Sequence, residues 1–368
     1  MVGSPRFPQA QQLTESLSIQ FSLIGFAMPG PLLRTLRGEN LRPRPIWLMR
    51  QAGRYLPEYR ALRAEKGGFL ALVYDSDAAA EITLQPLRRF GFDGAILFSD
   101  ILIVPYAMGQ NLEFLVGEGP KLSPRLVDAG LAALEAVPDR LQPIYETVAK
   151  VRAALGPQQT LLGFAGSPWT VATYMVAGEG SRDQHEARAL AYGDPGAFQA
   201  IIDAIVSVTV EYLAGQVEAG AEAVQLFDSW AGSLAPREFE RWVIAPNAAI
   251  VSALKARFLE LPIIGFPKGA GEKLAAYALG TGVDALALDE TIDAVWAAKT
   301  LPSGLPVQGN LDPLLLISGS AELEKRAIEI LDAFADRPHV FNLGHGIGQT
   351  TPVEHVARLL EVVRGWQG

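Results

Sequence analysis

Short continuous apolar runs recur along this chain, most of them closing on a polar residue or a glycine, with helical periodicity between them. They read RPIWLMR (44–50), GAILFSD (94–100), TLLGFAG (160–166), AVQLFDS (223–229), LPIIGFP (261–267), ALALDE (285–290), LPVQGN (305–310) and HVFNLGH (339–345). A strand apolar at successive positions is buried on both faces, as in a parallel sheet covered by helices. Eight such units predict the α/β class and a single (β/α)8 TIM barrel. Barrel sites lie at the C-terminal ends of the strands. Arg50, Asp100, Ser229 and His345 are the last residues of their runs, so they are expected in one mouth.

The connecting segments carry start and stop signals. Asp194-Pro195 suits an N-cap and first turn, and its apolar-periodic run continues to Gly220. Ser167-Pro168 opens a helix straight after TLLGFAG, and Pro352 opens the last one. Asp75-Ser76-Asp77 precedes a helix ending near Gly91, with Pro86 as a kink. The Gly- and Pro-containing stretch 101–140 and the Gly178-Glu179-Gly180 region are expected to be loops, of the kind that serve as lids or binding segments. Residues 1–27 read as a loose extension, with Met28 a candidate initiator, and residues 28–368 as one domain.

Composition narrows the chemistry. None of the 368 residues is Cys, which removes disulfides, zinc–thiolate sites, iron–sulfur clusters and thiol nucleophiles, and fits a cytoplasmic setting. A net charge of −9 argues against nucleic acid as a partner. Ile19 to Met28 is apolar but too short to cross a bilayer, so no membrane partner is expected. The four histidines, at 185, 339, 345 and 355, lack metal-ligand spacing, and no metal is expected.

The densest polar cluster is RQAGRYLPEYR (50–60). Arg50 and Arg54 flank Gln51-Ala52-Gly53 at the end of a buried run. A guanidinium offers a planar fork of donors matched to carboxylates, and glycine lets backbone approach a ligand. The same arginines would serve as surface groups pairing with Glu58 or Glu65. Asp100 is either a helix cap or a site group whose burial would raise its pKa. Tyr174, on the first turns of the helix after TLLGFAG, fits a core tyrosine as well as a ligand. Ser229, after Phe227-Asp228, fits an ordinary cap; a Ser-His-Asp hydrolase is the other reading, but no nucleophile-elbow pattern surrounds the serine. His345, between Gly344 and Gly346, either is structural or faces a ligand; the same loop also suits phosphate.

RQAGRYLPEYR, FSDIL, GFAGSPWTVATYM, QLFDSWAG, QGNLDP and NLGHG, in this order, resemble uroporphyrinogen decarboxylase, from about Pro29 to the C-terminus. The resemblance implies a cofactor-free barrel enzyme, usually a homodimer, that converts uroporphyrinogen III to coproporphyrinogen III by releasing four acetate carboxyls as CO2. It places substrate contacts on Arg50, Gln51, Ala52, Gly53, Arg54, Asp100, Tyr174, Ser229 and His345, with Phe227 lining the pocket. Catalysis falls to Asp100, which would accept from the pyrrole N–H groups, and to Arg50 as binder and candidate proton donor. A guanidinium is a weak acid at neutral pH, so a substrate carboxyl or an oriented water is the alternative donor. A corrinoid methyltransferase of the same superfamily is a rival reading, disfavoured by the missing cysteines. A non-catalytic tetrapyrrole carrier is another.

Overall fold

The computed structural model describes residues 28–115, 119–181 and 183–368; the extension expected over 1–27 lies outside them. The strands are β1 (Gly94–Ile96), β2 (Asn111–Leu115), β3 (Gly119–Ser123), β4 (Thr160–Gly166), β5 (Ala223–Asp228), β6 (Ile263–Pro267), β7 (Ala285–Ala287), β8 (Val307–Leu311) and β9 (His339–Leu343). Seven of them form one parallel sheet in the order β1-β4-β5-β6-β7-β8-β9, and β2 pairs with β3 as an antiparallel hairpin. Register sets Phe164 beside Gln225 and Phe227 beside Phe266.

The first expected strand, 44–50, is not a strand. It makes a single parallel bridge, Ile46 to Phe341. Pro43 and Pro45 remove the donors that a longer ladder would need. The segment nevertheless bonds to both edges of the sheet. Phe341 N donates to Pro45 O at 2.9 Å on the β9 side, and Asp93 N donates to Ile46 O at 3.0 Å just before β1. The curl of the sheet is also visible inside it. Trp47 Nε1 donates to Gln308 Oε1 at 3.0 Å, and Gln308 Nε2 to Gln225 Oε1 at 3.0 Å, so three fully buried side chains link this segment to β8 and β5. Gln308 is bonded through both ends of its amide, while Gln225 Nε2 is buried without a partner.

The helix signals read as expected in most places. Asp75 accepts from Ala78 N at the start of Ser76–Phe90, which contains Pro86 and ends on left-handed Gly91. Asp194 accepts from Ala197 N and caps Pro195–Glu218. Among the described residues this is the one helix long and apolar enough to span a membrane, yet half of that stretch is buried, against helices such as Ala245–Arg257 and Pro168–Ala177. Ser167 differs: it precedes helix Pro168–Ala177 without capping it, because its hydroxyl donates to Asn247 Oδ1 at 3.0 Å. The stretch 101–140 is not one loop. It holds the short helix Ile103–Ala107 and the β2–β3 hairpin, which docks on the Gly178 region through Leu122 N to Gly178 O at 2.7 Å.

Candidate active site

The loop 48–56 is held by a buried amide. Gln51 is fully buried. Its Oε1 accepts from Leu48 N at 3.0 Å and its Nε2 donates to Gly94 O at 2.8 Å. The side chain thus braces the turn. That brace holds Arg50 with φ at 59°, in the left-handed region that costs energy for any residue but glycine. Such a conformation is kept where surrounding structure over-determines it, and it aims the exposed Arg50 away from the core.

The loop after β9 meets both arginines. Asn342 Oδ1 accepts from Met49 N at 2.9 Å, and Ile347 N donates to Met49 O at 2.9 Å, so the two loops are stitched together. A Cβ on Gly346 would sit 2.4 Å from Arg50 Cδ, so only glycine leaves room for the arginine stem. Arg54 Nη1 donates to Gln349 Oε1 at 2.9 Å. Ala52 and Gly53 are half-buried in the turn between them.

His345 sits between Gly344 and Gly346, its ring 6.4 Å from that of Phe266. Burial, then the charge of Lys268, then that of Arg50 push its pKa down to about 4, against the pull of Asp289. The imidazole is therefore neutral at pH 7 and offers an N–H or a lone pair rather than a charge.

Asp100 lies recessed, with one edge still open to solvent. Burial pushes its carboxyl above the usual range, opposed by the Leu102 N–H and by the positive charge of Arg50. The sequence offers no helix for Asp100 to cap, but its Oδ1 accepts from Leu102 N at 2.9 Å, just ahead of the helix at Ile103.

Tyr174 is half-buried on helix Pro168–Ala177, its ring 6.5 Å from that of Trp230. Burial raises the phenol pKa, and the charges of Asp100 and Arg50 reach it in opposite senses. Phe227 packs edge-on against Phe164 at 5.6 Å and Phe266 at 5.9 Å, an apolar row across β4, β5 and β6. Ser229 is half-buried just past β5. The charges and contacts therefore bring Arg50, Arg54, Asp100, Tyr174 and His345 to one mouth, with Phe227 and Ser229 at the β5 end of the same rim.

Three groups went unsuspected. Asp228 is fully buried, and burial pushes its carboxyl up to about 7. Its Oδ1 accepts from Thr170 Oγ1 at 2.6 Å, and that oxygen accepts from Trp230 N at 3.0 Å, fixing the turn that carries Ser229. Lys268 and Glu290 face each other across the ends of β6 and β7 at 3.5 Å. A charge interrupting an apolar run was the available signal for Asp228. Nothing local marks the other pair. Among the described residues no three His, Asp or Glu side chains converge as a metal site.

Comparison with known proteins decides the family. The uroporphyrinogen decarboxylase (URO-D) family matches residues 29–366. A uroporphyrinogen decarboxylase from Novosphingobium aromaticivorans is 77% identical over 339 residues, 92% of this chain and 99% of that protein. One from Erythrobacter litoralis is 71% identical over 340 residues, 92% of this chain and all of that protein. The chain belongs to the uroporphyrinogen decarboxylase family. It is a carboxy-lyase of tetrapyrrole biosynthesis. A solved methyltransferase from Methanosarcina mazei shares the fold, with a TM-score of 0.77 over 91% of this chain and 97% of its own, at 20% identity. That likeness is one of fold, while the sequence follows the decarboxylases.

Proposed function

We propose that this cleft converts uroporphyrinogen III to coproporphyrinogen III without a cofactor, using the substrate's own pyrrole rings as electron sinks. The observation that carries the reading is the recessed carboxylate of Asp100 within electrostatic reach of Arg50 at one mouth. A proton adds to the ring carbon next to the one that bears the acetate arm, leaving an iminium-like cation conjugated to the arm's own carbon. The arm's C–C bond then breaks, CO2 departs, and the electron pair flows into the ring. A second proton converts the exocyclic methylene to methyl, and loss of the first restores the pyrrole. One proton replaces one CO2 in each of four rounds.

In this scheme Asp100 accepts from the pyrrole N–H groups and offsets the cation, the electrostatic work that dominates many active sites. Arg50 and Arg54 grip acidic arms and hold the macrocycle in register. Neutral His345, Tyr174 and Ser229 supply hydrogen bonds, and the face of Phe227 receives the ring. Ala52 and Gly53 offer backbone. Gln51 acts through the turn it braces. Proton delivery falls to Arg50 or to a water or carboxyl that it orients.

Anaerobic incubation of metal-free, coenzyme-free protein with reduced uroporphyrinogen III, followed by chromatography, is expected to give a ladder from eight to four carboxyls. An untouched octacarboxylate would refute the assignment. In the same reading the bridge at Ile46 counts as the first strand of a (β/α)8 barrel, supported by its bonds to both sheet edges. Residues 28–368 form one domain, and the enzyme works as a cytoplasmic homodimer without nucleic acid or membrane. Sedimentation at micromolar concentration tests the dimer.

A further inference from the structure

The mouth holds a second cationic station, and it rests on the substrate assignment just made. Lys268 follows β6 directly. Its N–H donates to Asp228 O at 3.0 Å and its carbonyl accepts from Gly232 N at 2.9 Å, locking its backbone beside the turn that carries Ser229. Its Nζ lies 3.5 Å from Glu290 Oε1, longer than a charge-assisted hydrogen bond, and the other Glu290 oxygen is buried without a partner. A structural ion pair at this depth would close up and satisfy both oxygens. Glu290 in turn abuts the loop after β9: a Cβ on Gly344 would sit 2.2 Å from Glu290 N, as one on Gly346 would sit 2.4 Å from Arg50 Cδ. His345 is thus flanked by Glu290 and Lys268 on one side and Arg50 on the other. A loosely held cation beside a half-satisfied carboxylate is poised for exchange with an incoming carboxylate.

We propose that Lys268 is a third cationic ligand for the carboxylate arms of the substrate, with Glu290 as the internal counter-ion that an arm displaces. Two guanidinium forks serve only some of eight acidic groups, and His345 is neutral at pH 7. Lys268 extends the cationic rim from the β9 side round to β6.

The test is steady-state kinetics on reduced uroporphyrinogen for wild type, Lys268→Met, Lys268→Arg, Glu290→Gln and the double variant Lys268→Met/Glu290→Gln. Lys268→Met is expected to raise KM about tenfold, the equivalent of about 1.4 kcal/mol, with kcat within about threefold of wild type. Lys268→Arg should stay within about threefold in KM. Glu290→Gln should leave KM equal or lower it, and the double variant should keep the Lys268→Met value. A KM within about twofold of wild type for Lys268→Met, or a Glu290→Gln variant that weakens binding as much, would overturn the proposal and make the pair structural. If Lys268→Met does not melt cooperatively, Lys268→Gln against Lys268→Arg gives the same comparison. Wild-type protein that leaves the octacarboxylate intact would refute the reaction itself, whereas active wild type matched by Lys268→Met would remove only the third cation.

Discussion

On the β9 side of the mouth the side chains are long, charged and carried by loops; on the β4–β5 side they are aromatic or uncharged and locked by strands. Arg50 and Arg54 lie exposed over the GHGIGQ segment, held by stitches such as Met49 N to Asn342 Oδ1. Phe227 is clamped between Phe164 and Phe266, and Trp230 N is pinned to Thr170, which also holds Asp228. A macrocycle with apolar faces and acidic arms asks for both. The rigid wall can receive the ring because it contributes to the core anyway. The loops can be spent on charge because little of the core depends on them. Asp100 sits between, recessed like the wall but charged like the rim.

That contrast breaks most sharply at Asp100. Asp100→Asn keeps shape and removes charge, so kcat should fall about 100- to 1,000-fold, comparable with loss of an oxyanion-hole donor, with the melting temperature nearly unchanged. Near-normal turnover would show that the carboxylate is a cap for Leu102 and nothing more.

Two truncations or additions separate the sides. Gly346→Ala places a methyl where Arg50 runs, and the flexible stem must move. KM should rise about tenfold with little change in melting temperature. Phe227→Ala should do the reverse, costing about 2 kcal/mol of stability because a half-buried ring leaves its two aromatic neighbours. Chemical denaturation beside KM measurements reads both; equal stability loss in the two variants would erase the distinction.

His345 sharpens the cationic side. Its pKa of about 4 should rise when a carboxylate arm lies beside it, so binding of uroporphyrin near pH 6 should take up protons. Calorimetry in buffers of different ionisation enthalpy counts them. Zero uptake that His345→Gln leaves unchanged would mean the imidazole stays neutral in the complex.

The wall carries a proton of its own. Asp228 titrates at about 7 when folded against 3.8 when unfolded. Between those values the folded state binds the extra proton, so this group's contribution to stability is full below about pH 4 and is lost as pH rises through 7. Asp228→Asn should therefore show a shallower fall in melting temperature between pH 5 and 8 than wild type. Parallel curves would place the proton elsewhere.

Much of the molecule was legible in its residues. Seven of the eight apolar runs became sheet strands, because apolar residues at successive positions have no stable place except inside a covered parallel sheet. Asp75 and Asp194 capped the helices they precede, because capping is settled within one turn of chain. Runs closed earlier than their apolarity suggests where an end residue found a local donor. Asp289, two residues past β7, accepts from Gly269 N and Thr291 N instead of extending the ladder. The bracing role of the Gln51 side chain was hidden for a similar reason: an amide beside two arginines looks like part of their site until Gly94, distant in sequence, claims it.

Local pattern and composition therefore determined the class of fold, the ends of the apolar runs that carry Arg50, Asp100, Ser229 and His345, and the family, because these depend on short-range periodicity and on contiguous motifs. Only the tertiary structure decided how the first run meets both edges of the sheet, that burial keeps His345 neutral at pH 7, that Asp228 holds its proton to about pH 7, and that Lys268 faces Glu290. Each of these is set by which distant groups share a small volume of low polarity, and a linear pattern fixes the order of residues without fixing those neighbours.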